Sequence, residues 1–155
     1  MSIKIIAIGN RLMGDDGLAV HIIEKLSEKF EKNGIKVIIG ETDFEYCLGK
    51  IEENDYIIIV DATCFGIEPG TVTVNSLNDI YAIDDNQSLF SQHGYSLIKA
   101  FEISYKSIDF IIVGIEGKNF DYDLSLSRQI EDCFDNICNK VYETIYSRVE
   151  AKVVV

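Results

Sequence analysis

Three short, almost unbroken runs of apolar residues constrain the fold of this chain more than any other feature. They cover Ile3–Ile8, residues 56–60 and residues 109–115, and they are rich in isoleucine and valine. Strands that are buried on both faces have this composition, because helices cover both sides of a parallel sheet. We therefore predict an α/β fold in which these runs form central strands.

Helical and strand patterns alternate along the rest of the chain. Apolar residues recur at helical spacing from Leu18 to Phe30, and Lys32-Asn33-Gly34 supplies a stop signal. A long amphipathic helix is predicted over residues 126–145, started by Ser125 or Ser127. The other predicted elements are strands at residues 36–39 and 71–74, helices at 44–51 and 95–105, and an irregular loop at 75–92.

The alternation favours a three-layer α/β/α sandwich with a mainly parallel, twisted sheet of about five strands. One strand is free to run antiparallel, because the segment between Asp61 and Thr71 has no room for a crossover helix. A chain of 155 residues is long enough to bury one core. We expect a single domain over residues 1–150, followed by a C-terminal tail at 151–155.

Charge and cysteine content restrict the partners and the compartment. Fourteen Lys and Arg residues against 26 Asp and Glu give a formal charge of -12, which repels nucleic acid and anionic membrane surfaces. The four cysteines contain no Cys-x-x-Cys pair and are expected to be reduced and mostly buried. The sequence contains no pattern typical of a signal peptide or a membrane span. We expect a cytoplasmic protein with neither nucleic acid nor membrane as a partner.

Three polar residues lie where an open parallel sheet binds its ligands, at the carboxyl ends of strands. Asp16 is in the loop after the first strand, Asp61 ends the strand at 56–60, and His93 enters the helix at 95–105. Two carboxylates and one imidazole can bind a metal ion and leave coordination positions open for substrate or water. We therefore select Asp16, Asp61 and His93 as candidate catalytic and metal-contacting residues.

Each of these residues also has an ordinary structural explanation. Asp15 or Asp16 has the position of a helix N-cap, and the two roles of capping and ligation can divide between them. Asp61 has the position of a loop residue that hydrogen-bonds its own backbone. A single histidine such as His93 is frequently a surface residue.

Two other chemistries compete with a metal site. Cys64 lies three residues after Asp61 and is a competing nucleophile, but no second histidine is near it in sequence. The spacing of Gly9 and Gly14 lacks the Lys-Ser/Thr that follows in a P-loop. Acidic residues beside these glycines also repel phosphate, so a nucleotide cofactor is disfavoured.

In its motifs the chain resembles the maturation endopeptidases of nickel-iron hydrogenases. The family's G-N-x-x-x-x-D-D/E-G loop after the first strand is matched by Gly9-Asn10-Arg11-Leu12-Met13-Gly14-Asp15-Asp16-Gly17. Three later segments also match in order and spacing: Ile58-Ile59-Val60-Asp61-Ala62, then Gln92-His93, then Val113-Gly114-Ile115-Glu116 with Leu124-Ser125 after it. The resemblance covers essentially the whole chain.

This resemblance implies a twisted sheet between helices and a specific reaction. Members of the family remove a short C-terminal peptide from the hydrogenase large-subunit precursor after nickel has been inserted into it. Asp16, Asp61 and His93 correspond to the family's metal-contacting residues, so the nickel would arrive with the substrate. Two mechanisms fit this resemblance: the metal polarises the scissile carbonyl, or Asp16 acts as general base on water.

Departures from the family pattern affect the expected substrate. Ile39-Gly40-Glu41-Thr42-Asp43 stands where the family has an Asp-Gly-Gly-Thr-like segment that is expected to face the substrate. Gly117 follows Glu116 where proline is common. The alternative function is a non-catalytic relative that binds nickel or a hydrogenase subunit, and a third is a small-molecule hydrolase, since fold does not fix function.

Overall fold

A computed structural model of the chain describes residues 1–83, 92–104 and 108–154, without the side chains of residues 81–83 and 92–95. The strands are β1 (Ile3–Ile8), β2 (Lys36–Glu41), β3 (Tyr56–Thr63), β4 (Val72–Ser76) and β5 (Asp109–Glu116). The helices are α1 (Leu18–Lys32), α2 (Phe44–Leu48), α3 (Leu77–Ile83), α4 (Gln92–Ser104), α5 (Arg128–Asp132) and α6 (Phe134–Val153). A 3₁₀ turn at Gly14–Gly17 directly precedes α1.

The strands form one sheet in the order β2-β1-β3-β5-β4. The first four in this order are parallel, and β4 runs antiparallel to β5. The connection from β3 to β4 passes the end of β5, where the Gly70 N–H donates to the Glu116 carbonyl at 2.7 Å. The ends of β2, β1, β3 and β5 at Glu41, Ile8, Thr63 and Glu116 form what we call the carboxyl edge.

Each face of the sheet has its own hydrophobic core because successive strand residues point to opposite faces. In β3, Ile58 and Val60 join the core that packs against α1 and α6. Ile57 and Ile59 point the other way, into the core that includes residues of α2, α3 and α4. This arrangement confirms the predicted three-layer α/β/α sandwich and its mainly parallel sheet.

Most predicted elements of the first half are confirmed. The helix after the opening loop ends at Lys32, and its buried face contains the apolar residues that define its periodicity. The predicted antiparallel strand is β4. β3 continues through Thr63, however, so Asp61 lies inside a strand rather than at the start of a loop.

The prediction of an irregular loop over residues 75–92 is wrong at both ends. Residues 77–83 form α3, and Gln92 begins α4; residues 84–91 lie outside the described part of the chain. The Ser76 hydroxyl accepts from the Asp79 N–H at 3.3 Å, and the Asp79 carboxylate accepts from the Ser76 N–H at 2.7 Å. This reciprocal pair is a capping box, a helix-start signal that is present in the sequence as Ser-x-x-Asp.

The single long helix predicted over residues 126–145 is two helices. Ser127 is the N-cap of α5, and it is one of the two residues predicted to start the helix. The chain leaves helical geometry at Cys133, with φ -118° and ψ 17°, before α6 begins at Phe134. Hydrophobic periodicity continues through such a break, because the apolar residues on both sides contact the same core.

A buried ion pair stabilises the amino-terminal ends of β1 and β3, opposite the carboxyl edge. The Lys4 ammonium lies 2.6 Å from the Asp55 carboxylate, and both side chains are almost completely buried. Lys4 also donates to the Lys50 carbonyl at 2.7 Å, and the Glu52 N–H donates to Asp55 at 2.8 Å. Burial opposes ionisation of Asp55, but the hydrogen bonds from Lys4 and Glu52 outweigh it and hold the pKa of the carboxyl below its usual value.

We predict that Asp55→Asn lowers the free energy of unfolding by about 3 kcal/mol, because it leaves the Lys4 charge buried without its counterion. Denaturant unfolding at neutral pH measures this change. Since the folded-state pKa of Asp55 is lowered, the wild-type contribution is present above the ordinary aspartate pKa of about 4 and is lost as the pH falls through the folded value. Glu28→Gln, which removes an exposed helical pair with Lys32, is the control and should cost about 0.5 kcal/mol or less.

Candidate active site

The opening loop brings the backbone around Asp16 against the end of β1. Gly9 has φ +140°, and a Cβ at this position would lie 2.0 Å from the Asp16 carbonyl oxygen. The Asn10 N–H donates to Oδ2 of Asp16 at 2.8 Å, and Oδ1 of Asn10 accepts from the Leu12 N–H at 2.9 Å. The Gly-Asn pair therefore closes the loop, glycine by allowing the approach and asparagine by satisfying the turn.

Asp16 and Asp61 both belong to the carboxyl edge. Asp16 lies in the 3₁₀ turn and is 9% exposed, while Asp61 lies in β3 and is 0% exposed. The turn that bears Asp16 packs against β3. Two carboxylates are thus placed on neighbouring elements at the edge where parallel sheets bind ligands.

His93 is the second residue of α4, and its side chain lies outside the described residues. The assembly of Asp16, Asp61 and His93 into one site therefore stays a prediction. Among the described side chains there is no group of three or more His, Cys, Asp or Glu residues that could hold a metal ion.

Asp15 is completely buried and connects two loops. Its carboxylate accepts hydrogen bonds from the N–H groups of Lys118, Asn119 and Ser127 at 2.8, 3.0 and 2.8 Å, and from the Ser127 hydroxyl at 2.7 Å. The Asp15 N–H in turn donates to the Asn119 carbonyl at 2.8 Å. Neither the 3₁₀ turn nor α1 has a side-chain N-cap hydrogen bond, so the interpretation of Asp15 or Asp16 as a cap of the helix after the loop is wrong. Asp15 instead fixes the segment that leads into α5.

Glu116 has an equivalent role beside Thr63, its partner in β3. It is 2% exposed, and its carboxylate accepts from the Thr63 hydroxyl at 2.8 Å and from the N–H groups of Phe65, Gly66 and Ile67 at 2.8, 3.0 and 3.3 Å. These bonds shape the loop that follows β3. Sequence analysis missed this role, although an acidic residue at the end of a buried strand was a signal for it.

Arg11 connects the opening loop to two other elements. Its guanidinium hydrogen-bonds Glu24 of α1 and lies 2.6 Å from a carboxylate oxygen of Glu41 at the end of β2. The hydrogen bond with Arg11 lowers the pKa of Glu24 against the opposing effect of burial. Arg11 is therefore held by two acids and adds no free positive charge to the loop.

The four cysteines form no disulfide, and they differ in exposure. Cys47 and Cys138 are buried, Cys133 is half-buried and Cys64 is exposed. Burial raises the pKa of the Cys47 thiol to about 11, and it also raises the pKa of Cys138. The expectation of mostly buried thiols holds for the others, whereas Cys64 is accessible in the loop that Glu116 shapes.

The fold and the site together define a class: a small α/β protein with acidic side chains at the ligand-binding edge of a parallel sheet. The HycI family model, described as hydrogenase maturation protease, matches residues 20–144. The chain belongs to this hydrogenase maturation protease family, and it is accordingly a hydrolase that acts on peptide bonds.

Individual relatives agree with this assignment. The chain is 29% identical over 139 residues to a protein of Methanocaldococcus jannaschii assigned as a hydrogenase maturation protease, covering 86% of this chain and 89% of that protein. It is 26% identical over 153 residues to the hydrogenase 3 maturation protease of Escherichia coli, covering 97% and 90%.

Solved structures share the fold. The hydrogenase maturating endopeptidase HybD from Escherichia coli superposes with a TM-score of 0.75 at 21% identity, covering 96% of this chain and 94% of that one. The NiFe hydrogenase maturation protease HybD from Thermococcus kodakarensis gives 0.74 at 24% identity, covering 93% and 99%. Within the described part of the present chain, no helix has the length and apolar content needed to cross a bilayer.

We predict that Asp15→Asn lowers the free energy of unfolding by about 2–3 kcal/mol. The NH₂ group of asparagine would face hydrogen-bond donors, whereas the carboxylate of Asp15 accepts hydrogen bonds from them. Chemical denaturation measures the loss. Asp121→Asn, at an exposed position of the segment that Asp15 binds, is the matched control and should change stability by about 0.5 kcal/mol or less. Equal stability of the two variants would contradict the role assigned to Asp15.

We also predict that brief treatment of the native protein with iodoacetamide labels Cys64 before any other cysteine, because it is the exposed thiol. Peptide mapping by mass spectrometry identifies the labelled site. The Cys64→Ser variant should keep its protease activity, and loss of activity would instead favour a thiol nucleophile.

Proposed function

We propose that this protein removes the C-terminal extension of a nickel-iron hydrogenase large-subunit precursor once nickel has been inserted. Membership of the hydrogenase maturation protease family carries the proposal. The two carboxylates at the carboxyl edge support it, because they give the edge the chemistry needed to recognise a metal that the substrate presents. In this proposal nickel is cargo of the precursor and not a resident cofactor of the protease.

Asp16, Asp61 and His93 are the residues that we assign to nickel contact. The hydrogen bond from Asn10 engages Oδ2 of Asp16, and we assign Oδ1 to the metal. Asp15, next to it, is ruled out as a ligand because its carboxylate already accepts four hydrogen bonds. The adjacent acids thus divide into one that holds the loops and one that faces the substrate.

Recognition of the metal makes cleavage depend on nickel insertion. Carboxylate and imidazole ligands would complete the coordination of a nickel ion that the precursor holds, and this contact places the scissile bond at the carboxyl edge. Hydrolysis then requires addition of water to the carbonyl carbon, breakage of the C–N bond and transfer of a proton to the leaving amine. Two routes fit this site: activation of the carbonyl by the metal, or removal of a proton from water by Asp16.

We place this activity in the cytoplasm and expect neither nucleic acid nor membrane to take part. Four unpaired cysteines, one of them exposed, fit a reducing compartment. The charge of -12 fits a protein that avoids phosphate backbones and anionic lipids.

The test is incubation of the purified protein with a large-subunit precursor from the same organism, with and without nickel. We expect the wild type to release the C-terminal peptide from the nickel-loaded precursor only, as measured by mass spectrometry. Asp16→Asn, Asp61→Asn and His93→Ala should each lower kcat/KM by about 100-fold or more, because each removes a group required in the transition state. No cleavage of any precursor by the wild type would refute the proposal.

Matched controls separate site effects from general damage. His21→Ala removes the other histidine of the chain, which lies on α1. Asp132→Asn removes an exposed acid at the end of α5. Both should cleave as the wild type does, and full cleavage by a protein with Asp16, Asp61 and His93 all changed to alanine would refute the assigned site.

A further inference from the structure

An exposed apolar patch borders the loop that bears Asp16. It consists of Leu12, Tyr122 and Leu124, which are 48%, 75% and 68% exposed. Leu12 belongs to the opening loop, whereas Tyr122 and Leu124 belong to the segment between β5 and α5. We call these residues the Leu12 patch.

Backbone hydrogen bonds hold the two halves of the patch together. The Asp123 N–H donates to the Leu12 carbonyl at 3.0 Å, and the Gly14 N–H donates to the Asp123 carbonyl at 2.9 Å. Met13 and Asp123 accordingly form a parallel β-bridge. Leu12 is thereby fixed beside the two residues that flank Asp123 in sequence.

The carboxylate of Asp15 fixes the same two segments relative to Asp16. Asp15 is adjacent to Asp16 in sequence. Its carboxylate binds the segment between β5 and α5 by accepting from the N–H groups of Lys118, Asn119 and Ser127. A Cβ at Gly14 would lie 2.6 Å from the Asn119 carbonyl oxygen, so the segments are in close contact. The patch therefore has a defined position next to a predicted site residue.

Exposure of large apolar side chains on a hydrogen-bonded segment has a cost in water. Elsewhere in the described chain, several such residues lie at the termini, among them Met1, Val153 and Val154. The Leu12 patch differs because three of them are joined by backbone bonds at the carboxyl edge. Contiguous exposed apolar residues with a polar border are typical of surfaces that bind a protein, a membrane or a ligand.

Charges around the patch indicate what kind of surface it fits. Asp121 and Asp123 alternate with Tyr122 and Leu124. Arg11, which precedes Leu12, is already paired with Glu24 and Glu41. The patch is thus apolar with an acidic border, and its complement is an apolar surface bordered by Lys and Arg.

We propose that the folded body of the precursor docks on the Leu12 patch. The docking surface of the precursor would consist of apolar side chains bordered by basic residues. This inference rests on the proposed function, since it takes the precursor as the partner. Docking beside Asp16 would bring the C-terminal extension to the carboxyl edge while the patch holds the body. In this proposal the patch provides affinity for the precursor, and the carboxylates at the carboxyl edge take part in the reaction.

The test measures the Kd of the nickel-free precursor, which is not cleaved, for Leu12→Ser, Tyr122→Ser and Leu124→Ser, and it measures kcat of the same variants at saturating nickel-loaded precursor. We expect at least one variant to raise Kd by about tenfold, as truncation of a central interface residue does, with kcat unchanged. Higher salt should also raise the wild-type Kd, because the border is charged. Ile103→Ser is the matched control: Ile103 is 81% exposed in the last turn of α4, and its change should leave Kd unaltered.

A second precursor without its C-terminal extension identifies the occupant. If the body docks on the patch, the three variants should weaken binding of this shortened precursor as well. Patch dependence that disappears with the extension would overturn the proposal and assign the patch to the extension. Unchanged Kd in all three variants would also overturn it, whether or not the wild type cleaves, because cleavage tests the proposed function separately.

Discussion

Buried carboxylates that bind backbone N–H groups are the interaction on which this carboxyl edge depends. Loops that follow parallel strands carry N–H groups that no neighbouring strand satisfies, and leaving them unpaired in a buried position costs free energy. Asp15 satisfies this need for the segment after β5, and Glu116 does so for the loop after β3. Both loops therefore owe their conformation to an acid inside the protein.

The consequence for function is a division of labour between adjacent residues. Asp15 and Asp16 have the same side chain, yet the backbone directs one into a pocket of N–H donors and leaves the other at the edge of the sheet. Gly9 makes this possible, because a side chain there would collide with the Asp16 backbone. An acidic pair in this loop is thus one structural anchor and one candidate ligand.

Local sequence predicted the parts of the fold that local physics controls. Apolar runs identified β1, β3 and β5, and helical periodicity identified α1 with its end at Lys32. Hydrophobic periodicity missed α3, although the capping box of Ser76 and Asp79 was present in the sequence. It also predicted one continuous helix where α5 and α6 are separated at Cys133. Periodicity reports which side faces a core, and it is insensitive to a break that leaves the apolar face in register.

By itself the sequence determined the layered α/β architecture, the edge that carries the acids, and Asp16, Asp61 and His93 as candidates. These depend on composition and order along the chain, which the sequence contains in full. Only the tertiary structure decided that Asp15 binds Ser127, that Glu116 holds residues 65–67, and that Leu12 lies beside Tyr122 and Leu124. Each of these contacts joins residues about 50–110 positions apart, and such pairs are chosen by the packing of the sheet and not by any local pattern.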